Sequence, residues 1–158
     1  MNDPIIWRPD VTVAAVVEQD GRFLFVEERV RGQLVLNQPA GHLEAGESLI
    51  DAVCRETLEE SAWDIEATYL IGIYQWTSPR DGVAFMRFAF AARALRRHAR
   101  PLDQGIERAI WLTAEELIQH AVPLRSPLVE ACVRDYRAGQ RHSFELLRNL
   151  DSHLKQRA

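Results

Sequence analysis

The stretch RETLEE, residues 55–60, sets Glu56, Glu59 and Glu60 beside a single cation, Arg55. On a helix turning roughly 100° per residue, Leu49, Ile50, Val53 and Thr57 form the face that meets a core. Glu60 falls inside that arc, Glu56 at its margin and Glu59 one step further round, while Arg55, Asp51 and Leu58 take the far side. A solvated charge run would lie opposite the apolar stripe, so these acids border buried surface. Like charges at i,i+3 and i,i+4 cost about 0.2–0.5 kcal/mol per pair. The negative end of the helix dipole disfavours acids in the last turn by roughly 0.3–1 kcal/mol each. Arg55 can bridge Glu47 or one of the three, leaving the others without a counter-charge. A hard divalent cation supplies the missing charge. An all-oxygen set suits Mg²⁺ or Mn²⁺ better than zinc, and none of the five histidines forms an HExxH.

The loop before this helix adds backbone chemistry. Gly41 and Gly46 bracket HLEA and permit close approach to a ligand, and a carbonyl at Ala40 or Gly41 could complete a metal shell. The absence of GxxxxGK[ST] excludes the ordinary ATPase reading.

The elements that must hold these residues are legible from pattern. Two β-branched and aromatic runs around Asp20-Gly21 predict a hairpin. Ser48 with Asp51 opens a helix that runs to about Ala62. Strand-rich stretches follow at 67–76 and 83–95, then a short strand at 108–112. Thr113 caps a brief helix, and Ser126, Pro127 and Gly139 bound a closing one. Without regular βαβ alternation, the expectation is an α/β fold with a mixed sheet and helices on both faces.

The whole chain sets outer bounds. Its 158 residues suit one domain, and 47% hydrophobic residues suffice for a core. A net charge of −4 announces no nucleic-acid partner, so any anion site must be local. Cys54 and Cys132 form no CxxC and read as ordinary thiols of a reducing cytosol. No signal-peptide pattern and no apolar run of membrane-spanning length is present, so a cytoplasmic protein with no membrane association is expected.

Gly41, Glu47, Arg55, Glu56, Thr57, Glu59, Glu60, Ala62 and Trp63 occupy the spaced positions of the box that marks the Nudix hydrolases, and the chain resembles that family. Ala62 stands where the box has glycine, which puts the sharpness of the turn after the helix in question. Thr57 is less apolar than the residue usual there. The likeness runs over residues 8–146, read as a single domain before a tail at 147–158, and is similar to one bacterial phosphatase subgroup. The resemblance implies an α/β/α sandwich and Mg²⁺-dependent cleavage of phosphoanhydrides, with Mn²⁺ as a substitute. Implied substrates are nucleoside tri- and diphosphates and the diphosphate of the thiamine pyrimidine precursor. Carried over by position, Glu56, Glu59 and Glu60 bind metal, and Glu47 and Arg55 brace the loop and orient a ligand carboxylate.

Such chemistry needs a nucleophilic water, a screened pyrophosphate and a carboxylate to take a proton. Glu59 is the family-style base, and Glu107 is the candidate if the base comes from a loop. Trp76, Arg87 and Arg125 are candidates for stacking a base and gripping a phosphate; the plain alternatives are a core tryptophan and an outward-facing strand arginine. Arg134, Arg137 and Arg141 read as a solvated helix face. Two rival readings are a Nudix-fold sensor that binds a nucleotide or ADP-ribose without cleaving it, and an isomerase acting on a diphosphate. The working form is expected to be a monomer or homodimer acting on a small nucleotide or diphosphate.

Overall fold

The computed structural model describes residues 6–151, so most of the charged C-terminal tail lies outside the described residues. Strand β1 (Asp10–Gln19) is the hub. It pairs in parallel with β6 (Ala84–Arg97), from Asp10 against Phe85 to Val17 against Ala92. Its other edge carries the three-residue strand β4 (Ala40–His42), antiparallel, with Val13 opposite Gly41. The long strand β5 (Trp63–Thr77) closes this sheet against β6. It starts at Trp63, four residues before the sequence pattern turned strand-like, because its first residues are recruited by the long partner β6 rather than by their own propensity.

The hairpin turn forms as expected, with Asp20 at φ 52° and Gly21 at φ 76°. Yet β1 and β2 (Arg22–Val30) stay paired only through Glu18–Phe23 and Gln19–Arg22. Beyond that they diverge, and β2 pairs instead with β3 (Gln33–Asn37) and β7 (Ile106–Leu112). A wedge therefore opens between two groups of strands joined at one corner.

Side-chain alternation along β1 decides the layers. Val13, Ala15 and Val17 point to one core, shared with Leu24, Phe90 and the helix α1 (Leu49–Ser61) through Ala52 and Val53. Val16 points to the other, shared with α2 (Ala114–Gln119) through Leu117 and with α3 (Pro127–Arg137) through Val129, Cys132 and Val133. The result is the expected mixed sheet with helices on both faces.

The helix caps refine the sequence reading. Ser48 accepts from the Asp51 amide at 3.0 Å, as anticipated. Ser126, expected to cap α3, makes no capping hydrogen bond. The turn after α1 is as sharp as glycine would make it: Ala62 takes the left-handed conformation, at φ 61°, and its N–H donates to the Leu58 carbonyl. Thr57 is fully buried in spite of its hydroxyl, because Oγ1 donates to the Val53 carbonyl at 2.7 Å. That carbonyl, at i−4, also has the helical main-chain donor. Thr57→Val should therefore shift the unfolding free energy by less than about 1 kcal/mol, measured by urea denaturation; a larger loss would show that the hydroxyl does more than satisfy itself.

Candidate active site

Arg55 sits at the centre of the acidic stretch and does more than the sequence suggested. Its Nε and Nη2 form a bidentate pair with Glu47, at 3.1 and 2.8 Å. Nη1 donates to Glu56 at 2.7 Å and to Glu59 at 3.1 Å, and Nη2 also reaches the His42 carbonyl at 3.0 Å. The expectation that one cation would leave two of the three glutamates unpaired is corrected: the fork geometry of guanidinium lets it hold Glu47, Glu56 and Glu59 together. These bonds, the Glu47 pair foremost, hold the arginine well above its ordinary range.

Glu60 is the exception. Its one hydrogen bond within the described residues comes from the Ala40 amide, at 2.9 Å. Burial, with smaller contributions from Glu28, Glu56 and Asp103, pushes its carboxyl up to about 8. Burial likewise raises Glu56, against the pull of Arg55. Two half-buried carboxylates held against their tendency to ionise are what a strong local cation would relieve.

The loop glycines play separate parts. A Cβ built on Gly41 would fall 2.0 Å from the Glu56 carboxyl carbon, so glycine there leaves the Glu56 carboxylate in its place beside β4. Gly46 has open space around it and serves instead as a turn residue at φ 80°. Close approach thus belongs to Gly41 alone of the two.

Glu56 and Glu60 open onto a cavity of about 850 Å³ that fills the wedge between the two strand groups. Trp76, Arg87 and Arg125 line the same cavity, so the three binding candidates converge. Trp76 stacks on Phe85 with centroids 5.9 Å apart and is neither core nor solvent-facing. Arg87 is 7% exposed, which removes the reading of an outward strand residue. Arg125 pairs with Glu28 at 3.2 Å. Glu107 is elsewhere: it pairs with Arg29 on exposed surface and does not line the cavity.

Two carboxylates went unnoticed in the sequence. Asp103 lies in the loop before β7, where its amide donates to the Glu59 carbonyl at 3.0 Å and its charge raises Glu56 and Glu60. It is the one acid between His98 and Gly105, a signal that could have been read. Glu28, on β2, accepts from Asn37 at 3.1 Å and reaches Glu60 electrostatically. Nothing in the local pattern of β2 distinguishes it from its neighbour Glu27, which is bound to Arg108 at 2.8 Å.

Among the described residues, no three acidic, histidine or cysteine side chains already converge as a metal cage. The donor set nevertheless fits a divalent cation. Glu56 and Glu59 each give one oxygen to Arg55, and Glu60 gives one to Ala40, so the second oxygen of each accepts no hydrogen bond within the described residues. Gly41→Ala should displace Glu56 and weaken divalent-cation binding about 10- to 100-fold, read by titration calorimetry. Gly46→Ala should leave that affinity alone and cost about 1–2 kcal/mol of stability through its left-handed backbone. Equal effects from the two substitutions would refute the division of labour.

A NUDIX domain model matches residues 7–132. The phosphatase NudJ of Escherichia coli K12 is 43% identical over 143 residues, covering 90% of this chain and 92% of that protein. A NUDIX hydrolase from Nitrosomonas europaea superposes with a TM-score of 0.88 at 45% identity, covering 91% of this chain and 99% of that one. A MutT NUDIX hydrolase from Burkholderia pseudomallei shares the fold at 22% identity, with a TM-score of 0.71 over 82% of this chain and 98% of its own. With the box residues gathered around Arg55 and relatives this similar along nearly their whole length, the chain belongs to the Nudix hydrolases, a family of enzymes that generally use divalent metals.

Proposed function

We propose that the chain is a Mg²⁺-dependent phosphohydrolase that cleaves phosphoanhydride bonds of nucleoside tri- and diphosphates, with Mn²⁺ able to substitute. The diphosphate of the hydroxymethylpyrimidine precursor of thiamine is a further candidate substrate, and the cytoplasm, as monomer or homodimer, is the expected setting. The observation that carries the reading is Glu60, a half-buried carboxylate with only a backbone amide for partner, facing the same cavity as Glu56. The 43% identity to a phosphatase supports it.

Glu56, Glu59 and Glu60 would hold the cation, with the Ala40 carbonyl as a further oxygen. When bound, the cation screens the pyrophosphate charge and makes water nucleophilic near neutral pH. Arg55 and Glu47 keep Glu56 and Glu59 oriented, since a ligand fixed in advance loses little freedom on binding. A carboxylate must take the proton of the attacking water. Glu59 remains one choice; of Asp103 and Glu107 neither lines the cavity, and Asp103 is preferred because its amide is bonded to the Glu59 carbonyl and its charge reaches Glu56 and Glu60. Trp76 and Phe85 offer a face on which a heteroaromatic ring can stack. No helix among the described residues is long and apolar enough to cross a membrane. Arg134 and Arg137 engage Asp135 and Glu115 on the solvated face of α3, whereas Arg141 lies beyond the helix end, over the Tyr69 ring.

The test is a Mg²⁺ panel of nucleotides, dinucleoside polyphosphates, ADP-ribose and the pyrimidine diphosphate, with orthophosphate and pyrophosphate scored separately. Glu60→Gln should lower kcat about a hundredfold or more, the scale of lost Lewis-acid stabilisation, and a chelator should abolish turnover. Full activity in Glu60→Gln at an unchanged melting temperature would sink the metal assignment, and absence of hydrolysis of every panel compound by the wild-type protein would favour a sensor. Asp103→Asn should lower kcat by about 10²-fold or more if it is the base, while Glu107→Gln should leave it within about threefold, the scale of a surface pair. The reverse ranking would restore Glu107.

A further inference from the structure

The cavity wall away from α1 holds an unusual set of polar atoms. Among buried side-chain nitrogens and oxygens of the described residues, four lack any hydrogen-bond partner: Thr12 Oγ1, Asn37 Oδ1, Arg87 Nε and Ser126 Oγ. All four residues line the one cavity. Native proteins rarely leave such groups unpaired, and several in one place point to a ligand that satisfies them.

Arg87 is the most demanding. It stands beside Thr12 in the parallel pairing of β1 and β6, 7% exposed. Its one hydrogen bond within the described residues is a long one, Nη1 to Gln38 Oε1 at 3.4 Å. No carboxylate is bonded to it: Glu28 and Glu60 are near enough to be felt, but Glu28 is bonded to Asn37 and Arg125, and Glu60 to the Ala40 amide. Burial pulls the guanidinium below its ordinary range, and the neighbouring Arg125 pulls it further the same way. A buried cation without a bonded counter-charge is costly, and a second cation beside it adds to the cost.

The start of α3 completes the set. Ser126 is 8% exposed, its hydroxyl neither caps the helix nor bonds anything else, and Pro127 follows at the first helical position. Hydrogen bonds between β3 and the loop, Leu36 N–H to Pro123 carbonyl and Arg125 N–H to Leu36 carbonyl, each 2.8 Å, lock this helix start against the cavity. A helix of eleven residues presents positive partial charge there.

We infer that Arg87, Ser126 and Arg125 at the start of α3 form an anion subsite that seats the terminal phosphate of an organic di- or triphosphate. Thr12 adds a hydroxyl donor, and the Asn37 carbonyl oxygen accepts from a protonated phosphate oxygen. The occupant spans the cavity, its free terminal phosphate on this wall and an anhydride turned to Glu56 and Glu60. Diphosphates blocked at both ends, such as dinucleoside polyphosphates and ADP-ribose, offer no such group and gain nothing from Arg87. The identity of the anion as substrate rests on the proposed hydrolysis; the anion site itself does not.

Inorganic phosphate in EDTA buffer probes the subsite apart from catalysis. Phosphate at about 10 mM should raise the melting temperature of the wild-type protein, as any ligand of the folded state does. Calorimetry should show Arg87→Gln weakening phosphate binding about tenfold or more, the scale of a lost charge-assisted bond. Ser126→Ala should weaken it in the same direction, and Glu60→Gln should bind phosphate at least as well as wild type. Should Arg87→Gln fail to fold, Ser126→Ala and Arg125→Gln carry the test. With Mg²⁺, Arg87→Gln should raise KM for a nucleoside diphosphate with little change in kcat, and leave KM for ADP-ribose unmoved. The subsite is refuted by absence of a phosphate effect on the wild-type protein, by wild-type phosphate affinity in the Arg87 and Ser126 variants, or by equal KM changes for free-ended and blocked substrates. If hydrolysis fails on every compound of the panel but the phosphate measurements hold, the anion site stands and the reaction assignment falls.

Discussion

The site depends on one guanidinium. Arg55 joins Glu47, in the loop before α1, to Glu56 and Glu59 on the helix and to the His42 carbonyl on β4. Without it the like charges on α1 would repel one another at a helix end that already disfavours them. With it Glu56 and Glu59 are held by one oxygen each, and the second oxygen of each accepts no hydrogen bond within the described residues. Gly41 leaves room for the arrangement, since a Cβ there would push the Glu56 carboxylate out of its place.

Glu60 stands outside this balance, and its exclusion is informative. Arg55 serves the acids that need orientation, and the one it does not reach is the one whose ionisation burial opposes most. A cation arriving at this point meets a carboxylate to which no guanidinium of the described residues is hydrogen-bonded. Arg87 presents the opposite case within the same cavity: a buried positive charge with no carboxylate bonded to it. One cavity thus carries an unbalanced acid on one wall and an unbalanced base on the other. A phosphoanhydride accompanied by a divalent cation has the complementary distribution, with phosphate oxygens for the arginine and metal for the glutamate.

The fold creates that cavity through the divergence of β1 and β2. Two strands joined by a tight turn would ordinarily pair along their length. Here each finds other partners, β6 and β4 for one, β3 and β7 for the other, and the wedge between them stays unfilled by side chains. The acidic helix reaches the wedge from one face of the sheet and the start of α3 from the other, so the two halves of the site belong to different cores.

The sequence by itself determined a helix from Ser48 to about Ala62, the turn at Asp20-Gly21 and the box from Gly41 to Trp63, because these rest on short-range spacing: helical period, turn chemistry and neighbouring charges. It also placed Trp76, Arg87 and Arg125 as candidates without ordering them. Only tertiary structure decided which residues share a cavity. The strand register that sets Arg87 beside Thr12, the loop whose Asp103 amide meets the Glu59 carbonyl while Glu107 pairs with Arg29, and the reach of Arg55 to three acids are contacts between residues remote in the chain or choices among rotamers. Local pattern carries no information about either, since both are settled by how the sheet and helices pack against one another.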